Sequence, residues 1–192
     1  MRVRDVDAFS YLSVLISLIL GLAITQVLKG FRGLMQARAR LRTYWPTVLW
    51  SIIILVLAVQ SWWAMFGLRE HRDWTFFAFS LVLLQTIFVY LLAALVLPDF
   101  FGEAPVDLRE HYYGHRRWFF AILVLLLASS LAKGRVISGH LTDAIDLGFH
   151  LVFALTGVIG VLTSNRRYHE FISAFTAIGM GTYIATLFTH LT

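Results

Sequence analysis

The chain has 192 residues, 59% of them hydrophobic and 14% charged, with a mean hydropathy of +0.76, whereas soluble domains run at roughly 45–50% apolar and 25% charged. A soluble fold of this size has too little interior for so much apolar surface, and the net charge of +5 comes from bases flanking apolar runs, which suits anionic lipid head groups and not nucleic acid. With no cysteine, disulfides, thiolate metal sites and cysteine nucleophiles are excluded.

Crossing a hydrocarbon core of about 30 Å takes about 20 apolar residues as a helix, and the sequence holds six such runs, at about 8–29, 46–68, 74–97, 118–138, 143–163 and 168–191. They are too long and too uniformly apolar for barrel strands, and an open sheet leaves its backbone unsatisfied in lipid. The predicted class is therefore all-α: one polytopic transmembrane bundle of six helices.

The first run follows Arg2 and Arg4 but extends beyond the roughly 7–15 apolar residues of a signal core, and Asp5 and Asp7 interrupt the basic stretch, so an uncleaved helix is expected. Within it Ser13, Ser17, Gly21, Thr25 and Lys29 recur every four residues on one slowly drifting face. Small residues let backbones approach and hydroxyls bond across the contact, so the expectation is a helix-packing seam, with a polar stripe along a conduction path as the alternative. The segment from Lys29 to Arg42 mixes Phe31, Leu34, Met35 and Leu41 with basic residues and reads as a helical continuation lying against anionic lipid.

The linkers at 69–73 and 164–167 are so short that they join antiparallel neighbours, pairing the second run with the third and the fifth with the sixth. Gln60 and Gln85 are conspicuous amides within the hairpin of the second and third runs. At 1.5 Å per residue they differ in depth by roughly one turn, and a hydrogen bond between them is expected. The longest connection, 98–117 with Pro105, is the only natural boundary between two three-helix halves, and weak echoes such as Leu28-Lys29-Gly30 against Ala132-Lys133-Gly134 raise an inverted repeat.

Late in the fourth run, Lys133 and Arg135 are expected to extend their stems to the nearer interface. The ladder of bases at three-residue spacing that a voltage sensor needs is absent. The best ionisable constellation is His140, Asp143, Asp146 and His150 at the opening of the fifth run. Asp143, Asp146 and His150 share a helical face, so carboxylate and imidazole could converge on a divalent cation or a proton; the competing account is helix-end electrostatics, acids complementing the positive end of the macrodipole. Glu110, His111, His115, His169 and Glu170 read as solvated loop residues. In the last run Ala174, Ala177, Gly181 and Ala185, with Gly157 and Gly160 in the fifth, are further close-packing candidates. No HExxH, phosphate loop or nucleophile elbow occurs, so an enzyme ranks behind the other classes.

Tyr44, Trp45, Tyr112, Tyr113, Trp118 and Tyr168 fall at one set of run ends and Trp62, Trp63 and Trp74 at the other, as an aromatic belt would. Ten basic residues (Lys29, Arg32, Arg38, Arg40, Arg42, Arg109, Arg116, Arg117, Arg166, Arg167) lie on the first side and six (Arg2, Arg4, Arg69, Arg72, Lys133, Arg135) on the second. The excess puts the first side in the cytoplasm and both termini in the periplasm.

The run from Phe9 to Gln26, then Tyr44-Trp45-Pro46 and Arg116-Arg117-Trp118-Phe119-Phe120, resembles a group of uncharacterised bacterial multi-spanning proteins. The resemblance implies a bacterial inner membrane and no particular activity. The functional expectation is a small channel-like or transporter-like protein working as a homo-oligomer; the alternative is an accessory, assembly or sensory subunit whose seams bind another membrane protein.

Overall fold

The computed structural model describes residues 8–71, 73–99, 104–139 and 143–187, and the fold is all-α. Six helices run through these residues: α1 Ala8–Gln36, α2 Trp45–Ala64, α3 Phe76–Val96, α4 Leu108–Ser138, α5 Ala144–Leu162 and α6 Arg166–Leu187. Among the described residues, α1 to α5 are long and apolar enough to cross a membrane. The described part of α6 opens with Arg166, Arg167, His169 and Glu170 and does not reach that standard, although Phe171 and Ile178 on its outer face are exposed.

The ends are set by local chemistry. Thr75 caps α3, its hydroxyl accepting from the Ala78 amide at 3.1 Å, and Pro46 fills the first turn of α2, where its missing N–H costs nothing. The α4 helix ends on Gly139 at φ 74°, the left-handed position that favours glycine at a helix C-terminus. The expected continuation of the first helix forms in part, and one helix starts well before its expected bound. The α1 helix continues to Gln36, and α4 begins at Leu108, ten residues before the expected start, because Asp107 accepts from the amides of Arg109 and Glu110 at 2.8 and 3.1 Å. In this added segment Arg109, Glu110 and Arg117 are exposed while Leu108 and Tyr112 are buried, in line with Phe119 and Phe120 further on.

In packing order α1, α3, α4 and α5 form a row, with α2 laid against α1 and α3, and α6 against α2 and α5. Both expected hairpins form. The halves are packed differently: α1 lies along α3, whereas the corresponding pair α4 and α6 meet at one end, where His169 lies against Tyr112, Tyr113 and Phe120. Nor is the long connection a divide. Leu41 and Arg42 pair in parallel with Val106 and Asp107, two-residue strands β1 (Leu41–Arg42) and β2 (Val106–Asp107), and Arg40 donates to the Ala104 carbonyl oxygen. The α1–α2 and α3–α4 connections are thus stitched together at one end.

The inward face of α1 is Ile16, Leu20, Ala23, Val27 and Gly30, not the small-residue stripe. Gly21 and Thr25 are exposed; a Cβ at Gly21 would meet nothing within 4 Å, and Thr25 donates to its own helix at Gly21 O, 2.7 Å. At Gly21 and Thr25 the expected seam is therefore turned away from the bundle, while Ser13 and Ser17 are half-buried at its margin; Ile16, Leu20 and Val27 bury more apolar area from the neighbouring face. Close approach occurs elsewhere. A Cβ on Gly157 would stand 2.9 Å from Val124 and one on Gly160 2.9 Å from the Phe120 ring, so these two positions, one turn apart, let α4 and α5 touch backbone to side chain. Gly181 meets nothing.

Candidate functional site

Where α2 to α6 converge, the helices enclose a cavity of about 210 Å³. Each contributes a polar group to its wall: Gln60 from α2, Gln85 from α3, Ser130 and Lys133 from α4, Asp146 and His150 from α5, Tyr183 from α6. Ser61 and Thr86 add hydroxyls, and the apolar part of the lining includes Leu57, Val82, Leu126, Phe153 and Met180. Asp146 is two residues into α5 and Gln85 nine residues into α3, so the cavity reaches from near the helix ends to a depth of roughly 14 Å.

The centre of the site is the Asp146–His150 pair. One turn of helix sets the Asp146 carboxylate Oδ1 3.2 Å from His150 Nδ1, and the same nitrogen lies 2.9 Å from the Asp146 carbonyl oxygen. Both neighbours are acceptors, so Nδ1 carries the proton and donates. The Tyr183 hydroxyl donates to Asp146 Oδ1 at 2.9 Å. On the far side of the ring, His150 Nε2 stands 3.1 Å from Ser130 Oγ, and with Nδ1 already protonated it is Nε2 that can take or give up a proton. Tyr183, Asp146, His150 and Ser130 thus form one hydrogen-bonded line across α6, α5 and α4.

Several sequence expectations are corrected here. Lys133 does not run to the interface: it lines the cavity, within the field of the Asp146 carboxylate. The inward turn of α4 at this point puts its stem against the cavity wall, while Arg135 is exposed and donates to Gly139 O at 2.6 Å. Gln60 and Gln85 both face the cavity, and among the described residues no hydrogen bond joins them; the space between their helices holds the cavity instead. Asp143, the residue that precedes α5, is exposed and outside the lining, and His140 lies outside the described residues. Among the described residues no three His, Asp or Glu side chains converge as metal ligands. Among the described members of the constellation, Asp146 and His150 are brought together and Asp143 stands apart from them.

A second polar centre occupies the other end of the bundle. His169, expected in solvent, is fully buried. It accepts from the Tyr112 hydroxyl at Nδ1, 3.0 Å, and donates from Nε2 to the Thr163 carbonyl oxygen, also 3.0 Å. Arg116 donates to Val161 O at 3.2 Å, and the Tyr44 and Tyr113 hydroxyls are 3.3 Å apart. Tyr44 and Tyr112 are therefore core residues, not belt residues, while Trp45, Trp62 and Trp118 are exposed as a belt requires. Burial pushes the Tyr44 phenol up from its ordinary value, helped by Tyr113 beside it. Between the two centres lies a small cavity of about 60 Å³ that shares Leu57, Leu126, Leu127, Phe153 and Met180 with the large one and is closed by Trp50, Ile53 and Ile54.

Comparison with protein-family models, with curated proteins and with solved structures finds no match. The site must therefore be read from its own chemistry.

Proposed function

We propose that the chain is a six-span bacterial inner-membrane protein that takes a small polar solute into the cavity of α2 to α6 and carries it across, a transporter-like activity. The observation that carries this reading is the convergence of polar side chains from five helices, ionisable ones among them, on one space inside the bundle. Polar and ionisable groups are costly in a membrane interior, and a chain that needed only to fold would fill this volume with leucine. The volume, set against about 30 Å³ for each water in the liquid, suits a solute of a few non-hydrogen atoms. The polar wall ends at the apolar layer of Trp50, Ile53, Ile54 and Phe153, which favours a carrier that opens alternately over a standing pore.

The sixth span is supported by the course of α6. His169 near its start meets Tyr112 at one end of the bundle and Tyr183 near its end meets Asp146 at the other, so the helix runs the length of its neighbours with Ile178 exposed between.

The sequence contains no cysteine, so single thiols can be placed cleanly. With Gln85→Cys in liposomes, a small water-soluble thiol reagent should label the cavity and block uptake of polar solute, and the same reagent on lipid-facing Leu84→Cys should do neither. Labelling of both or of neither would remove the cavity reading. A second reading, a subunit that binds another membrane protein, is favoured by the exposed small face of α1 at Gly21 and Thr25; co-purification of an unrelated membrane protein, with no flux, would select it.

A further inference from the structure

We propose that the cavity also hydrolyses an ester of a short apolar acyl chain, with Ser130 as the nucleophile, His150 as its base and Asp146 orienting the imidazole. This activity goes beyond the carriage of a solute and does not depend on it.

The geometry is that of an acyl-transfer triad. Ser130 Oγ lies 3.1 Å from His150 Nε2, and His150 Nδ1 lies 3.2 Å from the Asp146 carboxylate and 2.9 Å from the Asp146 carbonyl oxygen. With the Nδ1 proton held by those two acceptors, Nε2 presents its lone pair to the serine, the arrangement in which an imidazole draws the proton from a hydroxyl. Tyr183 in turn fixes the carboxylate. Ser51, Thr86, Ser129 and Ser173 donate to carbonyl oxygens of their own helices, three or four residues back, as helical hydroxyls commonly do. Ser130, next to Ser129 in α4, reaches across to α5 instead and lines the cavity. The serine and the pair stand on different helices, so no local motif announces them.

The walls indicate the substrate. Lys133 follows Ser130 by three residues, on the same face of α4, and with the Gln60 and Gln85 amides it gives the cavity N–H donors for the charge that develops on a carbonyl oxygen under attack. The adjoining cavity of about 60 Å³, with Trp50, Ile54 and Leu123 in its wall, is apolar space for a short acyl chain. His150 is six residues into α5, about 9 Å from the helix end, within reach of water entering by the large cavity.

In the first step Ser130 Oγ bonds to the ester carbonyl carbon and its proton passes to Nε2; the bond to the alcohol oxygen then breaks, and that oxygen leaves with the proton. Water adds to the acyl carbon, its proton passing to Nε2, and the bond to Ser130 Oγ breaks as the serine recovers a proton. Ester and water become acid and alcohol.

The test uses the full chain purified in detergent, with phenylmethylsulfonyl fluoride as the covalent probe and p-nitrophenyl butyrate as the ester. Peptide mapping of the unaltered chain should find the sulfonyl adduct on Ser130, and the ester should be turned over and should protect against the adduct. Ser130→Ala should abolish both reactions, and Ser129→Ala should keep them. His150→Gln should slow both by at least about a hundredfold. Asp146→Asn should lower kcat by at least about tenfold with KM unchanged, a split that looser packing alone does not produce. No adduct on the unaltered chain, an adduct on another residue, an adduct without ester turnover, or rates unaffected by His150→Gln would each overturn the assignment. Rates lost with Lys133→Met but kept with His150→Gln would overturn it too, by giving the proton to the lysine. All of these are read without flux, so thiol block of uptake at Gln85→Cys stands or falls separately.

Discussion

Tyr112 and His169, 57 residues apart in sequence, face each other at 3.0 Å with the phenol donating to Nδ1. The imidazole's other nitrogen is committed to the Thr163 carbonyl oxygen, so the neutral tautomer is fixed from both sides, and α4 is tied to the turn between α5 and α6. A buried acceptor that loses its donor costs about 1–3 kcal/mol. Tyr112→Phe should therefore lower stability by about that amount, measured by melting in detergent, while Tyr113→Phe, which removes only the longer contact to Tyr44, should cost less. Equal losses would mean that the imidazole acceptor is not what holds this end together.

Gly160 tests the close approach of α4 and α5. An added Cβ would stand 2.9 to 3.1 Å from three atoms of the Phe120 ring, and overpacking of this kind costs about 1–3 kcal/mol, more than the roughly 1 kcal/mol by which alanine favours a helix over glycine. Gly160→Ala should be destabilising, and less so beside Phe120→Leu. Gly21→Leu should not lower the melting temperature of the isolated chain, because nothing lies within 4 Å and leucine favours a helix over glycine. A shift in oligomer size with that variant would place the small face of α1 at a contact between chains.

Much of the helical layout was legible, and the errors have identifiable causes. The start of α4 was signalled by Asp107-Leu108-Arg109-Glu110, an acidic cap with glutamate three residues on; the density of charge in 109–117 masked it, since Arg109, Glu110 and Arg117 are exposed on a helix whose inner face is aromatic. The Asp146–His150 pair was readable because a single helical turn sets it. Tyr183 and Ser130 were not, because their places depend on how α6 and α4 lie against α5, and no local periodicity encodes that. Lys133 failed for the same reason: a base near a run end has an interface to reach on composition alone, and only the rotation of α4 turns it inward.

At the stitched end, two acidic interactions of different kinds can be separated. Arg42 stands 3.9 Å from Asp107 with its side chain largely in solvent, and exposed pairs of this sort contribute at most about 1 kcal/mol. Asp107 also caps α4 through two amides, worth about 1 kcal/mol or more. Arg42→Ala should be close to neutral and Asp107→Ala clearly destabilising, and in the double variant the loss should match that of Asp107→Ala alone. A loss on Arg42→Ala as large as on Asp107→Ala would give the ion pair the greater share.

The predicted orientation rests on the ten basic residues assigned to the end that holds Arg42, Arg116 and Arg166. Reporter fusions should place Arg38 and Arg166 in the cytoplasm and the turn at Asp73 in the periplasm. A cytoplasmic Asp73 would reverse the bundle and put the cavity on the inner side.

Alkaline pH should loosen the end that holds Tyr44. Its phenol is raised above the ordinary value of 10.0 by burial, so the folded chain keeps a proton that the unfolded chain releases. Its share of stability is complete below about pH 10 and is lost as pH climbs beyond it. Melting of the unaltered chain should fall more steeply above pH 10 than that of Tyr44→Phe; parallel curves would remove Tyr44 as the cause.

The short parallel pairing of Leu41 with Val106 and Arg42 with Asp107 makes a clasp. Two connections that could have swung independently are held like the joined end of a pair of tweezers, and the arms are the opposite ends of α2 to α6, where the large cavity lies. Relative motion there is a spreading of tips about a fixed base, so a cross-link across the clasp should leave the tips free to part, whereas one between α3 and α5 near Gln85 should hold them shut.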